Sequence, residues 1–189
     1  EAQNKHFEAV PEIVEKYMKK ISEHTGRNYA PFTYVGAPDA ERVIVAMGSV
    51  TDTITETINT LVARGEKVGL IKVYLYRPFS QKYLEAVLPS TVKKIAVLDR
   101  AKEVGTREPL FLDVCYALRN HKDITFIGGR YGLSSKDTNP SHINAVFEEL
   151  KKDAPKEEFT IGIEDDVTNL SLAPVDIHVD ADYTSCLFY

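Results

Sequence analysis

From residue 42 onward, apolar positions alternate between two spacings. Short runs rich in β-branched residues predict five strands, while the segments between them have apolar residues every three or four positions and predict helices. This alternation implies right-handed crossovers and an open, mostly parallel five-stranded α/β sheet with helices on both faces. The predicted strands are 42–47, 68–75, 94–98, 124–127 and 159–163, and the predicted helices start near residues 49, 81, 109 and 140.

The first 41 residues have a different pattern. Residues 1–26 carry apolar positions at helical spacing and predict a single amphipathic helix or a helical hairpin. Residues 27–41 contain prolines and a glycine between aromatic residues, which predicts an aromatic linker lying on a surface. We therefore expect a helix and linker from a preceding domain at 1–41, an α/β domain at 42–172 and a linker into a following domain at 173–189. The first residues look like the middle of a helix, so we expect a piece of a longer polypeptide.

Charge and cysteine content exclude several classes of protein. The formal net charge of −5 and the absence of a clustered basic face argue against nucleic-acid binding. No apolar run approaches the roughly 20 residues that a membrane span needs. Cys115 and Cys186 are isolated in the sequence and predict reduced thiols in a cytoplasmic protein, with no metal or iron–sulfur site.

Two motifs could bind ions but have simpler interpretations. Gly48 and Ser49, with Thr51 and Thr53, could hold an anion at a helix start, although an ordinary helix cap is favoured because phosphate-binding fingerprints are missing. The pair at 165–166 could hold a metal ion, but a solvated turn is favoured because no second acidic cluster lies at ligand spacing. The five histidines are scattered and suggest no catalytic set with a nucleophile.

Arginines after three predicted strands are better candidates for function. Arg77, Arg100 and Arg130 follow the second, third and fourth strands, and parallel strands deliver their exit loops to one edge of the sheet. There they could grip a carboxylate or phosphate. The favoured alternative is that they form salt bridges with Glu103, Asp99 or acids of another domain. Tyr131 lies among glycines at 128, 129 and 132, which would let a partner backbone come close.

Six motifs in order along the chain carry a resemblance to a known family. The chain resembles the second domain of pyruvate:ferredoxin (or flavodoxin) oxidoreductases, a unit similar to the C-terminal domain of transketolase. The loop after Asp99-Arg100 departs locally from the family pattern, with Ala101 and Val104 where the family usually has Thr and Pro. The six motifs lie at 36–50, 76–79, 97–100, 108–114, 128–136 and 159–168.

The resemblance implies a parent enzyme whose chemistry lies in other domains. Such a parent oxidatively decarboxylates pyruvate to acetyl-CoA and reduces ferredoxin or flavodoxin, using thiamine diphosphate, Mg and [4Fe-4S] clusters with coenzyme A as co-substrate. We therefore expect a non-catalytic docking domain of a homodimeric parent, which binds no cofactor itself. The alternative is a free-standing anion- or ligand-binding regulatory domain of transketolase-like fold. The expected interdomain contacts are Arg77, Arg100, Lys102, Arg130 and Tyr131.

Overall fold

The structure is a computed structural model that describes residues 1–179, so Cys186 and the end of the 173–189 segment lie outside the described residues. It confirms the predicted alternation of strands and helices. The helices are α1 (Asn4–Thr25), α2 (Val50–Ala63), α3 (Gln81–Val87), α4 (Pro109–Ala117) and α5 (Pro140–Lys151). The strands are β1 (Phe32–Gly36), β2 (Arg42–Met47), β3 (Val68–Val73), β4 (Lys94–Asp99), β5 (Thr125–Arg130) and β6 (Glu158–Thr160).

The described residues form one six-stranded sheet in the order β1-β3-β2-β4-β5-β6. Strands β2 to β6 are parallel, which confirms the mostly parallel α/β class, and β1 is an antiparallel edge strand beside β3. The prediction of five strands was therefore one too few, because β1 lies in the segment predicted as a linker. Prolines that flank this segment suggested a linker, but the five residues Phe32–Gly36 between them are enough for an edge strand.

Helices cover both faces of the sheet, as predicted. Helices α2 and α5 pack on one face against residues such as Ile44, Leu98 and Ile127. Helices α3 and α4 pack on the opposite face against residues such as Val45 and Val97. Side chains on successive strand residues point to opposite faces, so both cores are built from the same strands.

One crossover has the opposite hand to the others. The connections through α3 and α4 move along the sheet toward β6 and lie on one face. The connection through α2 moves toward β1 and lies on the opposite face, so all three connections have the same hand. The connection from β5 through α5 also moves toward β6, but α5 lies on the same face as α2. This connection therefore has the opposite hand. Since crossovers are right-handed in about 98% of cases, a right-handed path was expected here as well. Contact with α2, through residues such as Phe147, keeps α5 on this face.

Helix α1 is a single helix, not a hairpin, and it lies against α3. Glu15 Oε2 accepts a hydrogen bond of 2.8 Å from the Tyr83 hydroxyl, and Glu12 forms an ion pair of 3.4 Å with Lys82. Within α1 only Pro11 is fully buried. The helix therefore rests on the domain along a narrow strip.

Candidate functional site

The ends of β3, β4 and β5 share one edge of the sheet because these strands run parallel, through β2. Arg77, Arg100 and Arg130 follow or close these strands, so their backbones lie at the carboxyl edge. Their guanidinium groups have different surroundings, however. Arg130 is buried, Arg77 is half-exposed in an ion pair, and Arg100 is exposed.

Arg130 is the last residue of β5, not part of an exit loop. Its Nε donates to Glu108 Oε1 and its Nη2 contacts Glu158 Oε1. The side chains of Arg130 and Glu108 are only 5% and 1% exposed. The expectation that Arg130 faces another domain is therefore corrected: the arginine joins β5 to α4 and β6. Strand β5 runs three residues beyond its predicted end, because two glycines that suggested a loop belong to the strand.

The glycines of β5 make room for the domain's own side chains. A Cβ on Gly129 would collide with the Phe159 ring and lie 2.7 Å from Leu98 Cδ2. A Cβ on Gly128 would lie 2.6 Å from Arg107 Nη2. The expected close approach of a partner backbone at these two positions is therefore wrong, since core side chains fill the space.

A buried carboxylate, expected from the sequence only as a salt-bridge partner for the arginines, instead organises the start of α4. Asp99 accepts hydrogen bonds from the backbone N–H groups of Leu110 (3.0 Å) and Phe111 (3.1 Å). Burial raises the pKa of Asp99 above its ordinary value, and the two N–H groups oppose this rise. The signal in the sequence was an acid at the end of an apolar strand. Asp99 thus ties the end of β4 to the first turn of α4.

Arg77 lies on the solvent-exposed side of α4, where it contacts Asp113. Its guanidinium stacks on the Tyr76 ring, 3.9 Å from the ring centroid, and its Nη1 lies 2.7 Å from Asp113 Oδ2. The arginine side chain is 55% exposed. It therefore remains on the surface, next to α4.

A crevice of about 300 Å³ opens at the point where connections from neighbouring strands leave in opposite directions. It lies between the start of α2 and the loops after β4 and β5. Arg100 and Lys136 supply positive charge, and neither forms an ion pair with residues 1–179. Its lining is Ser49, Val50, Thr53, Arg100, Tyr131, Gly132, Ser135, Lys136, Asp137 and Thr138. The crevice is thus polar, with two cations and one acid.

The loops around the crevice combine unusual backbone conformations with exposed side chains. Ser134 and Ser135 both have left-handed backbone conformations, with φ of 53° and 58°, which non-glycine residues rarely adopt. Lys102 and Val104 stand in the loop after β4, where Val104 is 95% exposed. Thr51 donates its hydroxyl to the Gly48 carbonyl (2.8 Å), but Ser49 at the N-cap of α2 makes no side-chain capping hydrogen bond, so the expected ordinary cap is not formed.

Cys115 is half-buried in α4, and burial raises the pKa of its thiol to about 11 although Arg107 opposes the shift. Because the thiolate is the nucleophile, the native chain carrying Cys186→Ser should react with iodoacetamide at pH 8 about a hundredfold more slowly than the same chain in urea. Equal rates in the two conditions would contradict this.

No helix within residues 1–179 is long and apolar enough to cross a membrane. Over the same range, no three His, Cys, Asp or Glu side chains come together as a metal site would require. The Asp166 carboxylate accepts the backbone N–H groups of Ser171 (2.7 Å) and Leu170 (3.2 Å), so this acid closes a turn.

Comparisons with known proteins give a consistent family. Residues 40–143, just over half of the chain, match the family described as pyruvate:ferredoxin oxidoreductase core domain II. The chain is 54% identical over 182 residues to the pyruvate:ferredoxin oxidoreductase of Moorella thermoacetica, covering 95% of this chain and 16% of that protein. It is 53% identical over 194 residues to the pyruvate-flavodoxin oxidoreductase of Klebsiella pneumoniae, covering 100% of this chain and 17% of that protein.

Among solved structures, the chain is similar to a 2-oxoglutarate:ferredoxin oxidoreductase from Magnetococcus marinus, with a TM-score of 0.46 and 22% identity. That likeness covers 65% of this chain and 20% of the other. The chain spans 16% and 17% of the two curated relatives. By the match over residues 40–143, the chain belongs to the pyruvate:ferredoxin oxidoreductase core domain II family.

Proposed function

We propose that the chain is a non-catalytic docking domain of an enzyme that oxidatively decarboxylates pyruvate to acetyl-CoA and reduces ferredoxin or flavodoxin. The observation that carries this proposal is identity of 53–54% across nearly the whole chain to two pyruvate oxidoreductases. Because the chain is a small share of each relative, the activity is assigned to the whole parent and not to this domain.

The cofactors and partners of the parent follow from the family resemblance alone. Thiamine diphosphate, Mg and the [4Fe-4S] clusters would be held by other parts of a cytoplasmic, homodimeric parent, and coenzyme A would be its co-substrate. When bound, the thiamine would supply the decarboxylation chemistry and the clusters would carry the electrons to ferredoxin or flavodoxin. This domain would contribute contacts and no reacting group.

The carboxyl edge is the first contact surface in this proposal. Arg100 and Lys102 are exposed there and lack ion-pair partners within the described residues, and Tyr131 lines the adjoining crevice. Arg77 stands on the same edge, already paired with Asp113. Arg100 and Lys102, together with the exposed Val104, are complementary to a partner surface that presents carboxylates and apolar groups. Arg130 holds this edge together from inside.

Replacing Arg100 and Lys102 together by alanine in the full-length parent should weaken docking. Truncating a cation that is buried against a partner acid costs about 2–5 kcal/mol, whereas an exposed pair is worth under about 1 kcal/mol. We expect faster limited proteolysis between domains and slower turnover, with the fold of this domain intact by circular dichroism. Lys122→Ala is the control, because Lys122 is exposed just before β5, at the opposite edge of the sheet. Wild-type proteolysis and turnover in the double variant would contradict the proposal.

One observation favours the alternative of an anion-binding regulatory domain. The crevice brings Arg100 and Lys136 together with the hydroxyl-bearing residues Ser49, Thr53 and Ser135. In that case inorganic phosphate should raise the melting temperature of the isolated chain in a saturable way, and Lys136→Ala should abolish the effect. The docking proposal expects no saturable effect.

A further inference from the structure

The two helical layers of the domain have different outer surfaces. On the layer formed by α1, α3 and α4, six large apolar side chains are exposed: Phe7, Ile13, Tyr17, Ile21, Leu112 and Tyr116. The four on α1 are 50–58% exposed and Tyr116 is 70% exposed. Single exposed apolar residues are normal, but a set gathered on one layer marks an interaction site.

Arginine–aromatic stacks occur on the same layer. The guanidinium of Arg119 lies 4.3 Å from the Tyr116 ring centroid, that of Arg107 lies 4.4 Å from Phe111, and that of Arg77 lies 3.9 Å from Tyr76. Stacking holds each guanidinium in place, so less freedom is lost when a partner binds it. Tyrosine and arginine are also the residues enriched at the energetic centres of protein interfaces.

Within the described residues, α2 and α5 expose no large apolar side chain, and ion pairs lie at the end of α5. Lys151 bridges Glu66 (3.0 Å) and Glu148 (2.6 Å), and Lys152 pairs with Glu149 (2.6 Å). Among residues 1–179, this layer carries no arginine–aromatic stack. It is the solvated side of the domain.

The three helices of the apolar layer form one continuous surface. Helix α3 is bonded to α1 by Tyr83 and Lys82. On its other side Gln81 and Glu85 contact Arg119 and His121, at the end of α4 and just beyond it. We define the outward sides of α1, α3 and α4 as the α1–α4 face.

We infer that the α1–α4 face is covered by another part of the same polypeptide, one that presents apolar side chains flanked by carboxylates. The inference deepens the docking proposal and rests on it. The matching segment is only about a sixth of each relative, so the rest of such a polypeptide supplies ample surface. Arg107 and Arg119 form no ion pair within the described residues, which leaves two stacked cations for acids of the partner.

Helix α1 gives the geometric argument for a second contact. Its apolar positions include Val10, Val14 and Met18, which are half-buried on the domain, and Ile13 and Tyr17, which are exposed. At 100° per residue these five positions span about 140°, whereas the three half-buried ones span about 80°. The outer part of the arc therefore needs a second surface to bury it.

Hydroxyl-radical footprinting of the full-length polypeptide tests this inference, by comparing side-chain oxidation in the native and urea-unfolded states. If interface packing matches a protein interior, Tyr17 and Tyr116 should be protected about tenfold or more. Val167 is 90% exposed in the loop after β6, so its protection reports separately on the carboxyl edge. Unprotected tyrosines would overturn the inference.

Lysine cross-linking of the same protein identifies the occupant. Lys20 stacks on Tyr17 and Lys82 on Tyr83, so both lie on the α1–α4 face, and Lys152 on the other layer is the control. Links from Lys20 and Lys82 to peptides outside this sequence, with few from Lys152, support the inference. A Lys20–Lys20 link can form only between two copies, so finding it as the main product would overturn the inference. Wild-type docking in the Arg100 and Lys102 double variant together with a protected α1–α4 face would refute the carboxyl-edge contact alone.

Discussion

Arg130→Ala should lower the free energy of unfolding of the chain by about 3–5 kcal/mol, the range for removing one partner of a buried ion pair. The change leaves Glu108 buried at 1% exposure without its cation, and Glu158 loses the same contact. Urea unfolding followed by circular dichroism measures the effect. This reverses the expectation from sequence, in which Arg130 contacts a neighbouring domain.

The control is Arg77→Ala, which removes a half-exposed arginine from a surface ion pair with Asp113. That change should cost under about 1 kcal/mol. Removing Glu108 together with Arg130 should recover part of the loss, because the unpaired charge disappears. Equal unfolding midpoints for Arg130→Ala and Arg77→Ala would show that the buried pair does not have the role described.

Gly129→Ala is the second large effect and should destabilise the chain by about 1–3 kcal/mol through overpacking. The new methyl group would collide with the fully buried Phe159 ring and crowd Leu98. Phe159→Leu in the same chain should restore part of the lost stability, since a smaller side chain frees the space. Thermal unfolding of the single and double variants checks this, and a single variant as stable as wild type would contradict the packing account.

The sequence predicts the framework well because apolar spacing reports burial directly. Strand β2 has the predicted bounds, and α5 starts at its predicted residue, Pro140. Strand β1 was missed because its flanking prolines are equally common in linkers, and its pairing with β3 depends on residues far along the chain. The opposite hand of the crossover through α5 could not be predicted from local sequence patterns either, because it depends on the packing of α5 against α2.

The candidate site was harder to predict because it depends on which acid meets which arginine. The position of Arg130 after a strand was visible in the sequence, but Glu108 and Glu158 are 22 and 28 positions away and no periodicity links them. The two glycines of β5 signalled a loop, whereas the structure uses them to admit Phe159, Phe111 and Arg107. Exposure of Arg100 and Lys102 agrees with the expectation, while their partners remain a prediction.

Pyruvate-dependent dye reduction by a hybrid enzyme tests the central claim most directly. In the hybrid, this chain replaces the matching segment of the Moorella thermoacetica pyruvate:ferredoxin oxidoreductase, to which it is 54% identical. The docking account predicts that the hybrid reduces the dye with pyruvate, thiamine diphosphate and coenzyme A, and that the isolated chain gives only background. An assembled hybrid without activity, or turnover by the isolated chain that scales with its concentration, would contradict the account.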